Sequence, residues 1–241
     1  GVIDYKEAAS ALGSHVILLL MGAFMLSKAL EKSGVHRRIA VYMLRLCGAS
    51  SAKRLVLGFM LTSAVLSMWI SNTATTLMLL PIAMAIITSM NSPKLAAALL
   101  LGIAYSASLG GVGTPIGTPP NIIFMSVYQQ TTGTELSFIN WMMTGVPIVL
   151  IAIPIMAFWL TRKLSDMPDC DLPKAGDWRP AEKRVLIVFG IVALAWIFRP
   201  YWSVWTGMTL VSDSTIAIAG VVLMFLVPNG DKEKPDQLLD W

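Results

Sequence analysis

Apolar residues in this 241-residue chain run in long blocks, not in alternating positions or one-faced stripes. The blocks lie near 15–30, 55–70, 74–90, 95–112, 138–161, 185–198 and 214–228, with short polar breaks between them. Continuous apolar runs of this kind read as membrane helices. Several are short for a full crossing: a block of about 14 to 16 residues, at about 1.5 Å each, reaches about 21 to 24 Å of a roughly 30 Å apolar core. The pair 55–70 and 74–90, joined at Ser71-Asn72-Thr73, is therefore expected to be a re-entrant hairpin that enters and leaves by one face. Backbone that bends inside a membrane must line protein or a wet cavity, because lipid offers it no hydrogen bonds. The polar tip is a candidate site.

Composition supports the membrane reading and charge orients it. The chain is 56% hydrophobic and 13% charged, against about 25% charged in ordinary soluble domains, which excludes a water-soluble globule. Of its 18 lysines and arginines, 16 fall in 28–54, 94, 162–184 and 232–234, leaving Lys6 and Arg199 opposite. Basic residues collect on the cytoplasmic side. Lys53-Arg54 and Lys94 flank the 55–90 pair on that same side, so charge and length both predict re-entry. The stretch 34–48, with His36, Arg37, Arg38 and Arg45 among apolar residues, is expected to be a helix on the cytoplasmic interface, a solvated loop helix being the alternative. Trp141, Trp159, Trp196, Trp202 and Trp205 fall near span ends and read as an aromatic belt. Residues 163–182, rich in Asp and Pro, read as a cytoplasmic linker. The formal +4 charge is accounted for by topology and does not point to nucleic acid. Two cysteines, Cys47 and Cys170, and two histidines support neither a disulfide framework nor a zinc site. A start at Gly1 without methionine and an abrupt close at Leu238-Leu239-Asp240-Trp241 suggest a piece of a longer polytopic protein.

Between Lys32 and Glu135 there is no acidic residue. Proton relays and divalent-cation cages in membranes use Asp or Glu, so this span suits an anion, or a monovalent cation held by neutral oxygens. The first polar break runs from Ser67 to Thr76. If 55–70 is helical, Ser67 and Ser71 are four apart and share a face near the negative end of the helix dipole, which suits sodium. The next helix is expected to start near Thr73, capped by Asn72 or Thr73, with free N–H groups that suit a carboxylate. A polar turn that only caps two helices is the plainer alternative. The second break, Gly110-Gly111-Val112-Gly113-Thr114-Pro115-Ile116-Gly117-Thr118-Pro119-Pro120-Asn121, cannot stay helical. Its glycines expose carbonyls for a cation, Thr118 stands as an N-cap, and Pro119 and Pro120 suit a first turn. A phosphate-cradling loop would need a lysine and a preceding strand, which are missing; a proline kink in a structural helix is the plainer alternative. Two broken helices in one membrane unit are a pointer to a carrier's midplane site.

Trp69-Ile70-Ser71-Asn72-Thr73-Ala74-Thr75-Thr76, followed by Leu80-Pro81-Ile82 and by Gly117-Thr118-Pro119-Pro120-Asn121, closely resembles the first half of the divalent anion/sodium symporter family. Its bacterial members carry succinate, malate, fumarate or citrate. The resemblance spans roughly 14–228. It implies an all-α polytopic membrane protein of inverted-repeat secondary-transporter fold, seen here as a partial chain, in the bacterial inner membrane. It also implies a dimer through a scaffold part, and a transport part that moves like an elevator. Ser67, Ser71, Asn72 and Gly117 would surround a sodium ion, while Asn72, Thr73 and Thr118 would touch substrate carboxylates. Sodium would be the coupling ion, with no other cofactor, and membrane lipid the surrounding partner.

The expected layout is a scaffold-type helix plus the interfacial helix in 1–50, and a transport-type unit in 51–162. That unit holds the hairpin at 55–90, a broken helix at 95–128 and a closing span at 138–161. The linker follows at 163–182, and the first two helices of a second repeat occupy 183–241. The family's second Ser-Asn-Thr hairpin does not occur in this sequence. A dicarboxylate exchanger, a sulfate carrier of the same family and a structural membrane subunit are the other readings. An enzyme would need a nucleophile with its base or a metal cluster, and the membrane blocks hold neither.

Overall fold

The computed structural model of the chain describes residues 4–5, 13–48, 50–164, 176–208, 210–231 and 235–240. Among these residues the α-helices are α1 (His15–Ser33), α2 (Val35–Cys47), α3 (Ala52–Ser67), α4 (Asn72–Met90), α5 (Pro93–Gly110), α6 (Pro119–Thr132), α7 (Phe138–Thr161), α8 (Pro180–Thr206) and α9 (Asp213–Leu226), with a short 3-10 turn at Gly111–Gly113. The protein is an all-α, multi-pass membrane protein. Among the described residues four stretches are long and apolar enough to cross a bilayer: Asn72–Met90, Pro93–Gly113, Phe138–Thr161 and Pro180–Thr206.

Two spans exceed what the apolar blocks suggested. The 185–198 block is the middle of the 27-residue α8, whose charged residues, among them Glu182, Lys183, Arg184 and Arg199, sit outside the apolar run yet continue the helix. Counting apolar residues stops where charge begins, whereas the helix stops where its caps are: at Pro180 in its first turn and at Gly207, which is left-handed. The second arm of the hairpin, α4, has 19 residues, while α3 has 16. At about 1.5 Å per residue only α3 is short for a crossing. The length argument for re-entry thus applies to one arm, and the basic flanks carry the rest. Most of the 163–182 linker, residues 165–175, lies outside the described residues, as do Lys6, Cys170, Lys232 and Lys234.

Packing divides the chain into two units. One comprises Gly1–Ser33, Pro119–Asn140 and Arg179–Trp241; the other comprises Gly34–Thr118 and Trp141–Trp178. The surface helix α2 therefore goes with the hairpin instead of with α1, and α6 goes with α1.

In the first unit, α1, α8 and α9 pack through small residues. A Cβ on Gly22 would lie 2.7 Å from the Ala217 side chain, and one on Gly220 would lie 2.5 Å from Val192. Trp196 is fully buried, stacks on Phe138 with ring centroids 5.0 Å apart, and donates its indole N–H to the Asp213 carbonyl at 2.9 Å. It is a core residue and not part of an aromatic belt; its position near a span end misled because the helix runs past it.

In the second unit, α3 is buried on nearly every side, with Leu55, Val56, Phe59, Met60, Ala64 and Leu66 all in the core. Gly34 (φ 76°) supplies the left-handed residue that opens α2. Val35, Ala40, Val41 and Leu44 form the apolar stripe of α2, which packs on α3, where Gly58 receives Cys47 and Leu44. Protein, not lipid, covers that stripe. Arg37 and Arg45 stay exposed, whereas Arg38 is buried, donates to the carbonyls of Gly176 and Asp177, and lies 4.8 Å over the Trp178 ring.

Candidate functional site

The site grows from the local ends of α3, α4 and α5. Helix α3 stops at Ser67 because Met68, Trp69 and Ile70 tighten into a turn, with Trp69 N–H and Ile70 N–H both donating to the Leu66 carbonyl at 3.0 Å. Ser71 is then extended (φ −59°, ψ 146°), and its hydroxyl accepts from Ala74 N–H at 3.1 Å, which makes Ser71 the N-cap of α4. The expectation that Asn72 or Thr73 caps this helix is corrected: α4 begins one residue earlier, at Asn72. Nor do Ser67 and Ser71 share a face of one helix. The turn intervenes, leaving Ser67 buried and Ser71 exposed.

Freed from capping, the Asn72 side chain turns inward. Ser67 donates its hydroxyl hydrogen to Asn72 Oδ1. A Cβ on Gly111 would sit 2.9 Å from Asn72 Oδ1 and 3.3 Å from the Gly117 carbonyl oxygen. A Cβ on Gly117 would sit 2.4 Å from the Gly111 carbonyl oxygen. Only glycines allow these two backbone segments to meet beside Asn72. The result is a compact group of neutral oxygens from Ser67, Asn72, Gly111 and Gly117, at the C-terminal ends of α3 and α5 and the N-terminal end of α4. Their donor set fits a monovalent cation: hydroxyl, amide and carbonyl oxygens, without a carboxylate.

Of the residues singled out from sequence, the structure thus brings together Ser67, Asn72 and Gly117. Ser71 and Thr73 are exposed on the rim of the tip. Thr118 is half-buried and immediately precedes the first turn of α6, where Pro119 and Pro120 stand as expected. Three supports were not legible in the sequence. The Thr114 hydroxyl donates to the Met68 carbonyl, tying the second break to the hairpin turn. The Trp141 indole N–H donates to the Val112 carbonyl at 2.8 Å. Gly145 lets α7 approach so closely that a Cβ there would lie 2.5 Å from the same carbonyl. Trp141 had the sequence signature of a belt residue, and no pattern distinguishes that role from pinning a turn.

Among the described residues no group of His, Cys, Asp and Glu is placed to hold a metal ion. The family model described as citrate transporter matches residues 1–241. The sodium-dependent dicarboxylate transporter SdcS of Staphylococcus saprophyticus is 36% identical over 263 residues, covering 100% of this chain and 50% of the relative. The SdcS protein of Staphylococcus aureus (strain USA300) is 34% identical over the same length, with the same coverage. The chain spans about half the length of the curated relatives it matches. The resemblance carried by the Ser-Asn-Thr tip and the Gly-Thr-Pro-Pro-Asn bend is borne out at the level of the whole chain, which belongs to the citrate transporter family of multi-pass membrane transporters.

Proposed function

We propose that the protein carrying this chain performs sodium-coupled symport of small dicarboxylate or tricarboxylate anions, of the succinate, malate, fumarate and citrate class, across a bacterial inner membrane. The observation that carries this reading is the neutral-oxygen cluster of Ser67, Asn72, Gly111 and Gly117 at the tip of α3 and α4. Ser67, Ser71, Asn72 and Gly117 are assigned to sodium. The carbonyl-rich ends of α3 and α5 favour a cation there. Asn72, Thr73 and Thr118 are assigned to substrate carboxylates, because Thr73 is exposed on the first turn of α4, where free N–H groups favour an anion. The cation and the anion would then stabilise each other across Asn72, and linkage makes that effect reciprocal. Dimeric assembly and elevator-type alternating access complete the proposal. The names of the SdcS relatives support the sodium and dicarboxylate terms.

The deciding experiment is uptake of labelled succinate into proteoliposomes containing the protein that carries this chain. Accumulation driven by an inward sodium gradient and absent with potassium is expected. Uptake that instead needs internal dicarboxylate and ignores sodium would replace symport by exchange.

A further inference from the structure

Most hydroxyls inside the helices of this chain bond back to a carbonyl three or four residues earlier. Thr76 donates to the Asn72 carbonyl, Ser89 to Ile86 and Thr161 to Ala157, at 2.7 to 2.9 Å. Three do not. Thr62, Thr75 and Ser106 are each 0% exposed, and their hydroxyl oxygens have no hydrogen-bond partner. A buried hydroxyl that declines the available backbone carbonyl is kept for another partner, since leaving it bare costs more than the bond returns.

Two of the three lie under the oxygen cluster. Helix α4 leaves the tip at Asn72 and α5 arrives at Gly110–Gly111, and the two packed helices meet where Gly111 abuts the Asn72 side chain. Thr75 is three residues into α4 from Asn72, and Ser106 is four residues back from Gly110. Each is thus about one turn, roughly 5 Å, from the cluster along its own helix, with Ser106 on the stripe of α5 whose Gly102 and Gly110 abut Met60 and Ala64 of α3. Ser63, which donates to the Ile103 carbonyl at 2.9 Å, closes the layer from α3. Thr62 is different: four residues beyond Gly58, it lies on the stripe of α3 that faces α2.

We infer that Thr75 and Ser106 form a second polar tier beneath the cation cluster. Their hydroxyls take a water molecule that hydrogen-bonds upward to the Asn72 amide when sodium is bound. Asn72 Oδ1 accepts from Ser67 in this structure. A sodium ion between Ser67 and Asn72 would demand the lone pairs of both oxygens, so the Ser67 proton must turn elsewhere and the amide must be held by its nitrogen. A water on the Thr75 and Ser106 hydroxyls supplies an acceptor for that amide N–H, and such a water is satisfied by three bonds. The two residues are positioning residues, acting on sodium through Asn72. The inference rests on the sodium assignment proposed above.

The experiment uses the protein that carries this chain, in proteoliposomes, and reads the sodium concentration for half-maximal succinate uptake together with the thermal midpoint in sodium-free detergent. The variants are Thr75→Val, Ser106→Ala, Thr62→Val, Thr75→Ser and Ser67→Ala. Thr75→Val and Ser106→Ala are expected to raise the half-maximal sodium concentration about fivefold each, one net hydrogen bond's worth. Their sodium-free midpoints should be unchanged or higher, because an apolar isostere removes an unpaired hydroxyl. Thr75→Ser is expected to restore wild-type sodium dependence, and Thr62→Val to leave it untouched. Unchanged sodium dependence in Thr75→Val and Ser106→Ala, with a shift in Ser67→Ala, would overturn the second tier and leave the sodium site standing. A shift of equal size in Thr62→Val would also overturn it, as a general packing effect. No shift in Ser67→Ala would remove the sodium assignment itself.

Discussion

Gly117 shows most directly how single atoms decide this site. An added Cβ would meet the Gly111 carbonyl oxygen at 2.4 Å and Gly111 Cα at 2.9 Å, both backbone atoms that no rotamer change can move. Gly117→Ala is expected to abolish the sodium-dependent rise in thermal midpoint, because the two segments must part and the oxygens of Gly111 and Gly117 part with them. Gly190→Ala is the counterpart: nothing lies within 4 Å of its Cβ position in α8. There the change should be neutral or stabilising by up to about 1 kcal/mol, the difference in helix propensity. Asn72 offers a second test at this scale. With Asn72 placed between sodium and substrate as proposed, Asn72→Asp would set a carboxylate against the substrate's own in a half-buried place where repulsion is poorly screened, and would give sodium an extra negative partner. Calorimetry of the protein that carries this chain, at saturating sodium, is expected to show weakened anion binding with sodium binding retained; unaltered anion affinity would remove Asn72 from the substrate site.

Between elements, the question is whether α3 and α4 turn back inside the membrane. Helix α4 is long enough to cross, so the answer depends on charge: Lys53 opens α3, Lys94 opens α5, and the tip between them carries none. Single cysteines at 53 and 94, in a background without Cys47 and Cys170, are expected to react with impermeant maleimide from the same, cytoplasmic, side of oriented vesicles. Reaction from opposite sides would mean that the hairpin spans. A second element-scale feature is the chain after α9, which folds back on α1. Leu238 and Leu239 are buried, their N–H groups donate to the Val227 and Met224 carbonyls at 2.9 and 3.1 Å, and Lys32 pairs with Asp236 and Asp240 at 2.9 Å. The hydrogen bond from Lys32 holds the Asp236 carboxyl below its usual range. A carboxyl whose folded pKa is lowered contributes stability above its unfolded pKa, and that contribution is lost as pH falls through the folded value. The clasp should therefore hold from pH 8 to 5. Amide hydrogen exchange at Leu238 and Leu239, corrected for intrinsic rate, is expected to accelerate only below about pH 4, near the ordinary Asp value. Because the ion pair is exposed, its loss should loosen this segment without unfolding the helices.

At the scale of the molecule, the first of the two units carries a charged anchor of its own. Arg199 pairs with Glu135 at 2.6 Å and with the buried Asp213 at 2.8 Å, joining the segment after α6 to α8 and α9. Arg199→Gln strips a buried carboxylate of its cation and is expected to destabilise by about 3 kcal/mol, more than an exposed pair could. Adding Asp213→Asn should restore most of the loss, because the stranded charge is gone; a double-mutant cycle on thermal midpoints measures it.

The sequence by itself determined that this is a membrane chain, where most of its helices lie, and which two breaks interrupt them. Those facts follow from local properties: apolar runs, prolines, glycines, and the absence of acid from Lys32 to Glu135. It could not determine that Ser71 caps α4 while Asn72 turns inward. The two adjacent residues offer similar cap chemistry, and only the turn at Met68–Ile70 settles which one stands outside the helix. Nor could it place Trp141 on the Val112 carbonyl or Trp196 in the core, since indoles near span ends look alike until a partner is in reach. The meeting of Gly111 with Gly117 beside Asn72 is likewise a tertiary fact. A glycine in sequence states only that a close approach is permitted; which backbone makes the approach depends on how α3, α4 and α5 pack.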